Sequence, residues 1–214
     1  MEQKQANAAD QAYAYVREHV ISGEFAAGMR LTEWQIADAL GTSRTPVREA
    51  MRRLVGDGIL RFQPNHGTFV GSYSAREIGE LFEVRALLES EVASAAARNI
   101  SAEQLSQLKS LQDRIEERGL ELARTNIERI GALNREFHSL IAQASDNPRM
   151  VNMLANAIEA PVVQQTFGRY TAAQLQRSFH HHRELIDAFT ARDSAWARDT
   201  MSCHVRAALF AMVG

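Results

Sequence analysis

Ser43-Arg44-Thr45-Pro46-Val47-Arg48-Glu49-Ala50-Met51-Arg52-Arg53-Leu54 is the stretch on which the reading of this chain turns. Ser43 and Thr45 are both good helix N-caps, and Pro46 sits where a first turn can spare its missing N–H. Val47, Ala50, Met51 and Leu54 recur at the 3-4-3 spacing of one buried helical face. Arg44, Arg48 and Arg52 form an i, i+4, i+8 ridge along the edge of that face. Small polar residues and an arginine therefore crowd the positive end of a short helix, with more arginines behind them. That arrangement suits phosphate and base edges, because a helix N-terminus attracts anions and arginine grips guanine bidentately. The same residues taken alone also describe an ordinary amphipathic helix with a solvated basic face.

The flanks narrow the choice. Thr32-Glu33-Trp34-Gln35 is a capping box, Ile36, Ala37 and Leu40 supply one short apolar face, and Gly41 permits the left-handed backbone that ends a helix. Two short helices joined by a Gly41-Thr42 turn predict a helix-turn-helix whose second helix is presented to DNA. Downstream, Gly56-Asp57-Gly58 stops that helix, Ile59-Leu60-Arg61-Phe62 reads as a strand, Gln63 to Gly67 turns, and Thr68-Phe69-Val70 returns. A strand pair in that place is a wing. Upstream, Ala12, Tyr13, Val16 and Val20 predict a first helix ending near Gly23, and Gly28 to Leu31 connects it to the second.

Residues 10 to 71 resemble the DNA-binding domain of the GntR family of bacterial transcription regulators. The likeness rests on Ser43-Arg44-Thr45-Pro46-Val47-Arg48-Glu49-Ala50, Asp57-Gly58 and His66-Gly67-Thr68-Phe69-Val70. It implies that Arg44, Thr45 and Arg48 contact a double-stranded operator and that His66-Gly67 enters the minor groove from the wing tip. Arg52, third in the arginine ridge, joins the DNA-facing set. Family members often carry a further DNA-contacting arginine early in the second helix; Trp34 stands at or near that place here.

The formal net charge of −2 argues neither for nor against DNA. Residues 1–70 hold eight basic and eight acidic side chains, whereas residues 43–61 hold five arginines against Glu49 and Asp57. The case for DNA is thus one of local placement. A neutral domain making few phosphate contacts binds weakly as a monomer, so a two-fold homodimer on an inverted-repeat operator is expected. The single cysteine, Cys203, excludes an intramolecular disulfide framework and fits a reducing compartment. Met1 to Asp10 has no apolar core and no run spans a membrane, so a cytoplasmic location is expected.

After the linker Gly71-Ser72-Tyr73 no strand-like alternation recurs. Capping signals at Ser74/Glu77, Ser101/Gln104, Thr125/Glu128, Asn147-Pro148 and Asp193 mark out about six helices, near 75–98, 102–124, 126–144, 148–169, 172–191 and 194–212. Pro161 is placed to bend the fourth. The fold expected is mainly α: a winged helix-turn-helix over 1–71, then an antiparallel helical bundle over 75–214 for effector binding and dimerisation. This second part resembles the FCD domain of the FadR-like GntR subgroup, through Leu81-Phe82-Glu83-Val84-Arg85-Ala86-Leu87-Leu88-Glu89, Asn134-Arg135-Glu136-Phe137-His138, Asn147-Pro148-Arg149, His182-Arg183-Glu184-Leu185-Ile186-Asp187-Ala188 and His204. Many FCD domains bind a divalent metal through an Asp-x-x-x-His pair and two further histidines. The corresponding set here is Asn134, His138, His182 and His204, with asparagine where the aspartate is expected.

The residues have a physical reading of their own. Asn134 and His138 are i, i+4 on a helix whose core stripe is Ile130, Leu133, Phe137 and Ile141. His182 falls within the stripe Phe179, Leu185, Ile186 and Phe189, with His180 and His181 directed away, and His204 lies on the face of Ala197, Met201, Ala208 and Ala211. Three inward imidazoles could converge on zinc, nickel, copper or iron, zinc and nickel being the leading choices, or could be three separately satisfied core histidines. Arg85 lies in the stripe Leu81, Val84, Leu88 and Val92. It is either an internal salt bridge, with Glu89 one turn on as partner, or an anchor for a carboxylate effector. A regulator responding to a small carboxylate is the expected function. The alternatives are a metal-dependent enzyme on the histidine cluster and an effector-independent DNA binder. Against an enzyme, G-x-S-x-G, H-E-x-x-H and P-loop motifs are absent, and no carboxylate is spaced near the histidines as an evident base.

Overall fold

A computed structural model of the chain describes residues 7–119, 124–158 and 170–213. Those residues form two compact units, one running to Tyr73 and the other starting at Ser74.

The N-terminal unit contains α1 (Ala8–Ile21), β1 (Arg30–Leu31), α2 (Glu33–Leu40), α3 (Arg44–Gly56), β2 (Leu60–Gln63) and β3 (Gly67–Val70). It is the expected winged helix-turn-helix. The α2 capping box forms in full: the Thr32 hydroxyl accepts from Gln35 N while Gln35 Oε1 accepts from Thr32 N. Gly41 closes α2 in the left-handed region at φ 61°, which sets the turn into α3. Val47, Ala50, Met51 and Leu54 of α3 are buried with Val16 and Val20 of α1, Ile36 of α2, and Ile59, Leu60 and Val70 of the wing. Each of the larger of these side chains contributes about 1.5–3 kcal/mol by leaving water. Arg53 on the far side of α3 is tied to α1, donating to Asp10 at 2.7 Å and lying over the Tyr13 ring.

Two local expectations are corrected. Ser43 holds the cap position with extended backbone, but its hydroxyl makes no capping hydrogen bond, and Thr45 lies inside the first turn of α3. Residues 30–31, read as a plain connector, pair antiparallel with β3, giving a three-stranded sheet of order β1-β3-β2 with Arg30 opposite Phe69 and Arg61 opposite Phe69 on the other side. A two-residue strand has no periodicity to betray it.

The second unit is all-helical among the described residues: α4 (Ala75–Asn99), α5 (Ala102–Gly119), α6 (Arg124–Ala144), α7 (Pro148–Ile158), α8 (Ala172–Thr190) and α9 (Ser194–Val213). The Ser74/Glu77 box starts α4, and a Thr171/Gln174 box starts α8. Helix α4 is the hub, packing most extensively on α9 and also on α6 and α7; α5 packs on α6 and α8. The second half of the helix expected over 148–169, with Pro161, and the Thr125/Glu128 side chains lie outside the described residues.

The buried face of α4 keeps Arg85 and Val92 of the expected stripe, leaves Leu81 and Leu88 half-buried, and departs from it at Val84. Phe82, Arg85, Ala86, Glu89 and Ala93 are inside, while Val84 is 48% exposed and Leu87 72%. An α4 surrounded on several sides buries by position, not by hydropathy.

At Gly41 a Cβ would meet nothing within 4 Å, so its requirement is conformational alone. Gly41→Ala should therefore destabilise the N-terminal unit by about 1–2 kcal/mol, and Gly41→Asn by less, because asparagine tolerates the left-handed region. Urea unfolding of the two variants checks this; equal losses would mean that packing, not φ, decides the position.

Candidate functional site

Two clusters carry chemistry, one in each unit. On the first, Arg44 and Arg48 stand on the exposed edge of α3, with side chains 63% and 50% accessible. Thr45 and Arg52 are exposed as well. The wing turns through Asn65 at φ 64° and Gly67 at φ 109°, which leaves His66 exposed at the tip. A Cβ at Gly67 would lie 3.1 Å from Arg30 Nε, so glycine there makes room for that guanidinium. Between α3 and the wing runs a groove of about 590 Å³ whose lining includes Arg30, Arg48, Arg52 and Thr68. Arg30 is a cationic member that sequence reading missed, since its placement depends on the β1–β3 pairing. Trp34, at the start of α2, is 64% exposed.

In the second unit the three histidines do converge. Nitrogen atoms of His138 on α6, His182 on α8 and His204 on α9 all lie within 4.8 Å of one another. Their ring centroids are 5.5 Å apart for His138–His182, 5.1 Å for His138–His204 and 4.9 Å for His182–His204. Phe137 stacks on His182 at 4.3 Å and, fully buried, fixes the plane of that ring.

The hydrogen bonds around the cluster set its protonation. Arg183 donates Nε and Nη2 to Glu116; Glu116 accepts Gln112 Nε2 at 2.9 Å; this turns Gln112 Oε1 toward His182 Nδ1 at 2.7 Å. An amide oxygen only accepts, so His182 carries its proton on Nδ1 and presents a bare lone pair at Nε2. That Nε2 is buried without a partner, as are Asn134 Oδ1 and His204 Nδ1. His138 Nδ1 is 3.1 Å from Glu89 Oε2 on α4. Glu89 is thus the carboxylate beside the histidines that spacing alone did not reveal, being 49 positions from His138. Its other oxygen accepts from Arg85 Nε at 3.0 Å and Nη2 at 2.9 Å. The internal pairing expected as one reading of Arg85 is therefore realised. His181, expected to be directed away, keeps its ring 5.9 Å from that of His204 with a buried, unpartnered Nδ1, whereas His180 is exposed.

Electrostatics follow the geometry. Burial pushes His182 well below its usual pKa, and the neighbouring imidazoles of His204 and His138 push it further. Burial does the same to His204, with His138 adding to it. Both rings stay neutral at ordinary pH, the state in which imidazole ligates. Burial would raise the Glu89 carboxyl, but the Arg85 charge and the His138 contact outweigh it and hold the group at about 2.

A winged helix-turn-helix joined in one chain to an all-helical unit defines a two-part DNA-binding transcription regulator. Comparison with known proteins makes this specific. Residues 8–70 match the model of the bacterial regulatory proteins of the gntR family, and residues 80–207 match that of the FCD domain. The chain belongs to the GntR family of transcription regulators and carries an FCD domain. It is similar to the HTH-type transcriptional regulator YdhC of Bacillus subtilis, at 32% identity over 67% of this chain and 63% of that protein, a match that spans less than two-thirds of the relative's length. It is also similar to the HTH-type transcriptional repressor RspR of Escherichia coli, at 23% identity over 92% of this chain and 85% of that one. The solved structure of E. coli McbR/YncC shares the fold with a TM-score of 0.76 at 24% identity, over 94% of this chain and 95% of that one. These families and relatives are transcription regulators, not enzymes. No described helix is long and apolar enough to cross a membrane.

The depressed His182 and His204 have a consequence for stability. In the unfolded chain each ring titrates near 6.5; folded, each accepts a proton only at lower pH. Below about pH 6.5 the unfolded state binds more protons, so the stability is present above that pH and lost as pH falls toward the folded values. Each ring costs up to about 1.4 kcal/mol per pH unit in that window. Thermal unfolding without added metal should show a midpoint steady above about pH 7 and falling below about 6.5. In His204→Gln the fall should be shallower; an unchanged slope would exclude this histidine as its source.

Proposed function

We propose that this chain is a cytoplasmic repressor that reads an inverted-repeat operator as a two-fold homodimer. Its affinity for DNA is controlled by a small carboxylate bound in the helical unit beside a divalent metal. The observation that carries the sensing half is a set of buried polar atoms without partners. His182 Nε2 is a fixed lone pair, Asn134 Oδ1 accepts only, His204 Nδ1 is unpartnered, and the described protein offers none of them a donor. A buried acceptor without a donor costs about 1–3 kcal/mol, and a cation held between the converging histidines would satisfy His182 Nε2.

Asn134, His138, His182 and His204 would hold the ion, zinc or nickel by the preference of imidazole and amide oxygen. When bound, the metal supplies a Lewis-acidic point to which an anionic effector can add. The protein's own part is orientation. Glu89 accepts from His138 Nδ1, and Gln112 accepts from His182 Nδ1; each leaves the opposite ring nitrogen as the ligating atom. Arg85 is held by Glu89, so its contact with an effector carboxylate would use the edge of the guanidinium that Glu89 leaves.

On the DNA side, Arg44, Thr45, Arg48 and Arg52 face the major groove, and His66-Gly67 the minor groove. The exposed apolar pair Val84 and Leu87 on α4 supports dimerisation through the helical unit.

Two measurements test the proposal. In calorimetric titration with zinc or nickel, wild type should bind one ion per chain. Asn134→Asp should bind it about tenfold more tightly and respond less to added mono-, di- and tricarboxylates. Loss of binding in neither His182→Ala nor His204→Ala, or no binding by wild type, would make these core histidines only. On DNA, Arg48→Ala should weaken operator binding by about 1–3 kcal/mol and relax base preference. Arg53→Ala, which removes a contact to α1, should lower stability and leave preference intact; equal losses on specific and random DNA would sink the readout assignment.

A further inference from the structure

Glu33 is the first residue of α2, placed there by the Thr32/Gln35 capping box. Its carboxylate is less exposed than either arginine it meets, at 24% against 50% for Arg48 and 63% for Arg44. Arg48 approaches it side-on, with Nε donating to Oε1 at 2.7 Å and Nη2 to Oε2 at 2.8 Å. Arg44 Nη2 donates to the same Oε2 at 3.1 Å. One carboxylate on α2 thus fixes two arginines from successive turns of α3. The hydrogen bond from Arg48 is the main reason the Glu33 carboxyl sits at about 2, so the clamp persists at any pH at which the protein works.

A guanidinium carries five N–H groups in one plane. The side-on contact consumes Nε–H and one hydrogen of Nη2. Both hydrogens of Nη1 and the second of Nη2 remain, and the second of Nη2 with the facing one of Nη1 forms the end-on edge that meets O6 and N7 of guanine. We infer that Glu33 is a positioning residue for base readout: it locks the plane of the Arg48 guanidinium so that the end-on edge is ready for a guanine, and it sets the separation of that fork from Arg44. The inference rests on α3 being the helix that contacts bases. Arginine otherwise brings a long, freely rotating side chain to DNA, and ordering it beforehand moves that entropy loss from binding to folding. A carboxylate on this face also repels phosphate. It therefore lowers affinity for DNA of any sequence while favouring sequences that use the ordered fork.

Those two effects have opposite signs on the operator, which makes the role testable. A pool of random double-stranded DNA is first enriched on the wild-type protein, and the sequence it selects becomes the probe. Affinity for that duplex and for an unselected duplex of equal length is then measured for wild type, Glu33→Gln and Glu33→Ala, across a range of salt. Positioning predicts that the variants lose about tenfold in the ratio of the two affinities. Their affinity for the unselected duplex should hold or rise. Repeating the enrichment on Glu33→Ala should return a blurred base at the position read by Arg48. Glu33→Gln keeps shape and part of the hydrogen bonding, so its loss should be the smaller. Arg48→Lys, which retains the charge but has no second edge, should match Glu33→Ala in the ratio.

If both affinities rise together, Glu33 is only a repelling charge and the inference is overturned. It is equally overturned if neither changes, or if both fall together with the thermal midpoint, which would mark a structural salt bridge. A wild-type protein that enriches no sequence would instead remove the readout role of α3 itself.

Discussion

The interior of the helical unit is arranged around one requirement: Glu89, buried on α4, is ionised and must be matched. Bringing such an ion out of water costs several kcal/mol even after relaxation, and only charge and hydrogen bonds on both oxygens offset it. Arg85, one turn earlier, takes Oε1; His138, from α6, takes Oε2. Removing either partner would strand the charge, at a cost of about 3–5 kcal/mol. The pairing therefore does more than stabilise. It fixes the His138 ring against α4 and selects which nitrogen faces the other histidines. A second relay reaches the cluster from the surface, from Arg183 through Glu116 and Gln112 to His182. Two carboxylates on two helices thus orient two imidazoles, and the cluster is the point where both chains of hydrogen bonds end.

What was legible beforehand is what local chemistry controls. The caps at Thr32 and Ser74, the left-handed glycine at 41 and the apolar face of α3 are decided within a few residues, and each appears where the pattern put it. The inward faces of His138, His182 and His204 were legible for the same reason. Their meeting was not, because helical periodicity says which side of a helix is buried and nothing about what lies opposite. Glu89 shows the limit most clearly: it contacts a histidine on another helix, at no motif spacing. Val84 shows the reverse, an apolar residue of the expected stripe that lies outside. Apolar residues cover most of α4, so hydropathy is compatible with more than one buried face, and the helices around α4 decide among them. His181 was misjudged because adjacent residues on a helix diverge by about 100°, yet a ring can still swing to the edge of a cluster.

A similar distinction between composition and placement applies to the N-terminal unit. Its acidic and basic residues balance, so no long-range field gathers DNA to it. Cations are instead concentrated on one edge of α3 and along the groove toward β3, where Arg30 reaches the wing because Gly67 leaves it space. The salt dependence of DNA binding scales with the number of phosphate contacts such a surface can make. Under the proposed homodimer, two such modest half-sites would bind tightly together where one alone would not.

Under the proposed function, the charge count of the histidine site would link sensing to metal. Arg85 and Glu89 cancel, His182 and His204 are neutral, and Asn134 offers an oxygen without charge. A divalent ion held there would keep its full charge uncompensated by its ligands within a helical core, where the effective dielectric is low. A carboxylate arriving at the ion removes that cost, and the ion in turn provides the carboxylate's strongest partner. Thermodynamic linkage makes the two gains equal: the factor by which the anion tightens the metal is the factor by which the metal tightens the anion. An aspartate at position 134 would meet part of the charge permanently and so weaken the coupling. Asparagine would leave it to the effector, so that the occupancy of the proposed site would depend on what the cell supplies.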